Sequence, residues 1–105
     1  MTDITPFLKE LLTAPGLSGY EDPAAGIISA RWTPLVHEIS RGKTGSLLGL
    51  RRGTNQSRHP SVMVAAHMDA IGLMVTGMTD GFLRLTAVGG VDPRVLPGTL
   101  VTLYA

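Results

Sequence analysis

Cysteine is absent from this 105-residue chain. That excludes disulfide bonds and thiolate metal sites, and it is compatible with a reducing compartment. Net charge is almost absent too. Nine lysines and arginines stand against eight acidic residues, a formal charge of +1 that points to neither nucleic acid nor a membrane surface as partner. No apolar run approaches the roughly 18 residues that a spanning helix requires. The start, Met1-Thr2-Asp3-Ile4-Thr5-Pro6, lacks the basic and apolar regions of a signal peptide. A soluble cytoplasmic protein is therefore expected. No Gly-rich phosphate loop follows a strand and no Gly-x-Ser-x-Gly elbow is present, so a serine or cysteine nucleophile has no support.

What is present suffices for a core. Hydrophobic residues make up 44% and charged residues 16%, in a length that fits one domain or part of a larger protein. Ile4, Phe7, Leu8, Leu11 and Leu12 follow helical spacing, with Thr5 as N-cap, Pro6 in the first turn and Ile4 as a staple. Pro15-Gly16 stops this helix, and the loop from Ala14 to Glu21 is tightly specified by one proline and two glycines. Asp22-Pro23 reads as a second N-cap, opening a helix whose face is Ala24, Ile27, Ile28 and Trp32.

Strands are expected over Val36–Ser40 and Ser46–Leu50 around the turn Arg41–Gly45. Gly53–Pro60 reads as a polar surface loop, and Arg51, Arg52 and Arg58 as solvated loop residues rather than a phosphate site. A central strand follows over Val62–Ala66. After Gly72 only β-like runs remain: Leu73–Thr76, Phe82–Val88 and Thr99–Tyr104. Helix-strand alternation giving way to strands alone predicts an α/β layer passing into a separate β module, with the boundary near Val75–Gly77. The last run is strand-like up to Ala105 and leaves open edges, which suggests the front of a longer protein.

Chemistry concentrates at His67-Met68-Asp69, behind the apolar run. Residues two apart on an extended strand share a side, so imidazole and carboxylate emerge together. Open α/β sheets keep their chemistry at the carboxyl ends of strands. Two readings fit the spacing. One is a hydrogen-bonded histidine beside a capping or loop aspartate. The other is a metal-binding imidazole whose second nitrogen donates to a carboxylate. One histidine cannot hold a metal alone, since catalytic zinc takes about three protein ligands plus water. His37 and His59 read as structural or solvated, and Asp80 and Asp92 as turn residues.

Larger blocks favour the second reading. Ala14-Pro15-Gly16-Leu17-Ser18-Gly19-Tyr20-Glu21, Ala65-Ala66-His67-Met68-Asp69, Ile71-Gly72-Leu73-Met74-Val75, Gly81-Phe82-Leu83-Arg84 and Gly89-Gly90-Val91-Asp92-Pro93-Arg94-Val95-Leu96-Pro97-Gly98 occur in that order. This order closely resembles the start of metallopeptidase family forty-two, the glutamyl and deblocking aminopeptidases once also labelled endoglucanase M. The resemblance implies an α/β aminopeptidase domain over residues 1–76. It also implies the start of an inserted, barrel-like all-β dimerisation domain over 77–105. It makes His67 a ligand of one of two divalent metals (zinc, cobalt or manganese) and Asp69 the catalytic residue that orients it.

In such enzymes two metals activate a bridging water that attacks the first peptide bond. Peptide substrates and a homo-oligomer, from dimer to dodecamer, are implied as partners, without nucleic acid or membrane. The sequence departs from the family pattern at Ala70, where an acidic residue is usual, at Val91, usually aromatic, and at Ser46, usually asparagine. The bridging aspartate, the glutamate base and the other ligands lie further along in the family and have no counterpart in this chain. The expectation is thus an N-terminal fragment of a metal-dependent aminopeptidase, inactive by itself. The alternative is a non-enzymatic truncated module that oligomerises through its exposed β edge.

Overall fold

Near the start of the chain Asp3 accepts a hydrogen bond from Thr5 N–H through Oδ1 (2.9 Å). The computed structural model describes residues 3–54 and 60–104. Helix α1 spans Thr5–Thr13, with Pro6 in its first turn. Ile4, not Thr5, occupies the cap position, because the Asp3 carboxylate already takes the Thr5 amide. Helix α2 spans Asp22–Trp32, and again the expected cap moves one residue back, to Glu21. Glu21 accepts from Gly19 N–H (2.7 Å), and Asp22, one step inside, pairs with Arg41 at 2.5 Å. The two helices meet where the Arg31 guanidinium lies 5.8 Å above the Phe7 ring.

Two hairpins follow. Strands β1 (Glu38–Arg41) and β2 (Leu47–Leu50) pair antiparallel, Glu38 opposite Leu50 and Arg41 opposite Leu47. Their turn closes with Gly42 N–H donating to Ser46 C=O (2.8 Å). Strands β3 (Gly72–Thr79) and β4 (Phe82–Val88) form the second pair. Asp80 (φ 51°) and Gly81 (φ 82°) join them, two left-handed residues in succession. That is the turn whose twist matches a two-residue hairpin, and Asp-Gly is a favoured pair for it. The register shifts between Val75 and Gly77, a β-bulge at Thr76, so β3 runs through the stretch where the sequence suggested a boundary.

Two expected strands are not strands. Val62–Ala66 and Thr99–Tyr104 make no ladder among the described residues. Val62, Met63 and Val64 are 88%, 90% and 92% exposed. The run is apolar, but a strand exists only when a second backbone takes its amides and carbonyls. Asp92 does turn the chain as expected, capping a short 3-10 turn at Pro93–Val95 by accepting from Arg94 N–H (3.0 Å). His59 and Arg58 lie outside the described residues. No helix among the described residues is long and apolar enough to cross a membrane.

Candidate metal centre

The loop after α1 comes back to meet the His67 segment. Leu17 and Ala70 form an isolated parallel bridge, with Ala70 N–H donating to Gly16 C=O (2.7 Å). Gly16 is buried there. An added β-carbon would sit 3.6 Å from Ala24 Cβ and 3.9 Å from Met68 C=O, so the loop lies between α2 and the segment carrying the histidine.

His67 and Asp69 do emerge side by side, and the geometry assigns their roles more finely than spacing did. His67 Nδ1 lies 2.9 Å from the Asp69 backbone oxygen and 3.3 Å from its Oδ1. Both neighbours are acceptors, so a favourable contact needs the proton on Nδ1. The lone pair of the neutral ring then sits on Nε2, which bonds no described residue. The His67 side chain is 86% exposed and the Asp69 side chain 41%. The nearer anchor of the ring is thus the Asp69 carbonyl, with the carboxylate second.

The carboxylate has another partner, the Ser18 hydroxyl, which donates to Oδ2. Ser18 holds the Asp69 carboxyl below its ordinary range more than anything else does. Partial desolvation opposes this, and His67 adds a smaller lowering. Sequence reasoning did not find Ser18. The signal was the tightly specified loop containing it, but the target of the hydroxyl lies 51 positions further along the chain.

The other polar candidates have local duties. His37 Nδ1 accepts from Arg52 N–H (2.9 Å), and the Arg52 guanidinium pairs with Glu38. Asp80 is in the hairpin turn. No group of three or more His, Asp or Glu among the described residues converges to hold a metal ion. Judged on its donors, a single imidazole nitrogen beside a carboxylate could serve as one ligand of a metal centre. It does not make a complete one.

Comparison with known proteins shows what the chain is similar to. The chain is 38% identical over 95 residues to a lysyl aminopeptidase of Pyrococcus furiosus, covering 85% of this chain and 25% of that protein. It is 32% identical over 98 residues to a glutamyl aminopeptidase of Lactococcus lactis, covering 92% of this chain and 27% of that protein. The chain therefore spans about a quarter of the length of the curated relatives it matches. In structure it is similar to an endoglucanase from Thermotoga maritima, with TM-score 0.78 and 40% identity over 87% of this chain and 29% of that one. A TET aminopeptidase from Thaumarchaeota archaeon SCGC AB-539-E09 matches with TM-score 0.77 and 28% identity, over 88% of this chain and 25% of that one. The mixed helix-and-strand architecture is thus that of known aminopeptidase structures. A family model described as M42 glutamyl aminopeptidase matches residues 45–105, more than half of the sequence, and it is to this family that the chain belongs.

Proposed function

We propose that the chain is the leading part of a two-metal aminopeptidase that removes amino-terminal residues from peptides. The observation that carries this reading is the polarised imidazole. Asp69 faces Nδ1 of His67 with its backbone oxygen and its carboxylate, leaving Nε2 as the outward donor. In this role His67 offers Nε2 to one divalent ion, and Asp69 holds the ring and its proton in place. Imidazole and carboxylate donors suit zinc, cobalt or manganese. Two such ions, when bound, supply a nucleophilic water and polarise the peptide carbonyl.

Residues 1–76 would contribute the metal-bearing α/β domain, and residues 77–105 the start of a β dimerisation domain. The change of layer would fall at the Thr76 bulge. The reading that the 105-residue chain is not catalytic alone is supported by the absence, among the described residues, of a group of three or more potential ligands.

The test uses the full-length protein. His67→Ala should lower metal occupancy at one of two sites and abolish chelator-sensitive release of amino-terminal residues. Unchanged metal content would overturn the assignment of His67. Strong, chelator-sensitive peptidase activity from the 105-residue chain would overturn its inactivity.

A second reading, a non-enzymatic module that pairs its open backbone with another copy, is favoured by one observation. Val62–Val64 presents to solvent an apolar segment that joins no ladder among the described residues.

A further inference from the structure

The Ala14–Glu21 loop is fastened on both sides of Ser18. On one side Gly16 C=O accepts from Ala70 N–H, beside the Leu17–Ala70 bridge. On the other, Gly19 N–H donates to Glu21 Oε1 at the start of α2. Between these latches the Ser18 hydroxyl donates to Asp69 Oδ2, while Asp69 Oδ1 lies 3.3 Å from His67 Nδ1. The two carboxylate oxygens are thus divided between two partners. Carboxylate rotation about χ2 is broad and roughly two-fold when nothing restrains it. Anchoring one oxygen fixes the direction of the other.

We infer that Ser18 is a positioning residue for the His67 imidazole, acting through Asp69 and touching neither metal nor substrate. The Ser18 hydroxyl holds the carboxylate so that Oδ1 faces Nδ1. This adds to the Asp69 backbone oxygen, which by itself leaves the ring one point of attachment and freedom to swing about it. The catalytic consequence rests on the aminopeptidase reading above, whereas the effect on the ring does not. A purely structural Ser18 would only fasten the loop. The latches at Gly16 and Gly19 already do so, and the hydroxyl's loss should be felt at the imidazole instead of in the fold.

The experiment compares Ser18→Ala and Ser18→Thr in the full-length protein, with circular dichroism confirming that each is folded. In metal-depleted protein labelled with nitrogen-15 at histidine, wild type and Ser18→Thr should show His67 as the Nδ1–H tautomer. In Ser18→Ala the two ring-nitrogen resonances should move toward each other as the tautomers mix. Zinc affinity at the His67 site, read by competition with a chromophoric chelator, should fall in Ser18→Ala. Because partners one step nearer the metal are worth about 10–100-fold, the loss here is expected at roughly 3–30-fold. The rate constant kcat should fall comparably with KM changed by less than about twofold, since Ser18 acts on the imidazole and not on the substrate.

Wild-type tautomer and wild-type zinc affinity in folded Ser18→Ala would overturn the inference. If wild type releases no amino-terminal residues, the aminopeptidase reading fails instead, and the ring resonances of Ser18→Ala still decide the role of Ser18. Should Ser18→Ala not fold, unaltered ring resonances in Ser18→Cys, which lacks a strong hydroxyl donor, would overturn it in the same way.

Discussion

Gly49 has no room for a side chain. A β-carbon there would lie 2.8 Å from Trp32 Cε3, 3.2 Å from Cζ3 and 3.3 Å from Val36 Cγ1. The obstacle is the body of an indole ring at the end of α2, which cannot yield as the tip of a long side chain can. Gly49→Ala should therefore cost roughly 1–3 kcal/mol, the usual range for overpacking. Trp32 is the sole tryptophan, so its fluorescence during denaturant unfolding reads the change directly, and an unaltered midpoint would contradict the packing.

Asp92 offers a test of charge at the same scale. The Arg94 side chain is the main reason its carboxyl lies below the ordinary range, and the Arg94 backbone N–H adds to it. A depressed folded pKa makes the contribution of this cap fully present above the ordinary carboxylate value, and it is lost as pH falls through the folded value. Arg94→Ala should raise the Asp92 pKa only part of the way, since the backbone bond survives. A carboxyl titration followed by NMR checks this, and full return to the ordinary value would show that the cap is not made.

At the scale of elements, what was legible depended on how far each interaction reaches along the chain. The β3–β4 hairpin could be read because Asp80-Gly81 sets its turn locally and the flanking runs supply residues that suit strands. Both helices could be read for the same reason; their caps lie one residue before the expected ones, with the Asp3 carboxylate on the Thr5 amide in α1 and the Asp22 carboxylate on Arg41 in α2. Val62–Ala66 could be read as an apolar, strand-forming run, but whether it pairs could not, since pairing depends on a strand elsewhere. Hydrogen exchange should find the Val62–Ala66 amides unprotected in the 105-residue chain and protected in the full-length protein. Protection in the short chain would favour pairing between copies.

Across the whole molecule, the described residues have little interior. Only Ala24 and Ala25 are buried hydrophobic residues, each 3% exposed, while Leu12, Phe82 and Leu100 are 75%, 77% and 98% exposed. The radius of gyration is 18.3 Å, against about 13 Å for a compact domain of roughly 100 residues. A chain so open cannot gain much from apolar burial by itself. In isolation it should either associate or sample loosely packed states, detectable by light scattering and by dye binding to exposed apolar surface. A clean, compact monomer near 13 Å would count against both the fragment reading and the pairing module.

The sequence by itself determined the helices, the hairpins, the pairing of His67 with Asp69 on one side of the chain, and the family resemblance. All of these are written in neighbouring residues or in ordered blocks. The tertiary structure decided what distance in sequence conceals. It set Ser18 against Asp69, placed the Asp69 carbonyl nearer the ring than the carboxylate, and left Val62–Ala66 outside any ladder among the described residues. Spacing can put two side chains on one face of an extended chain. Which oxygen meets which nitrogen depends on a loop brought back from 51 positions away.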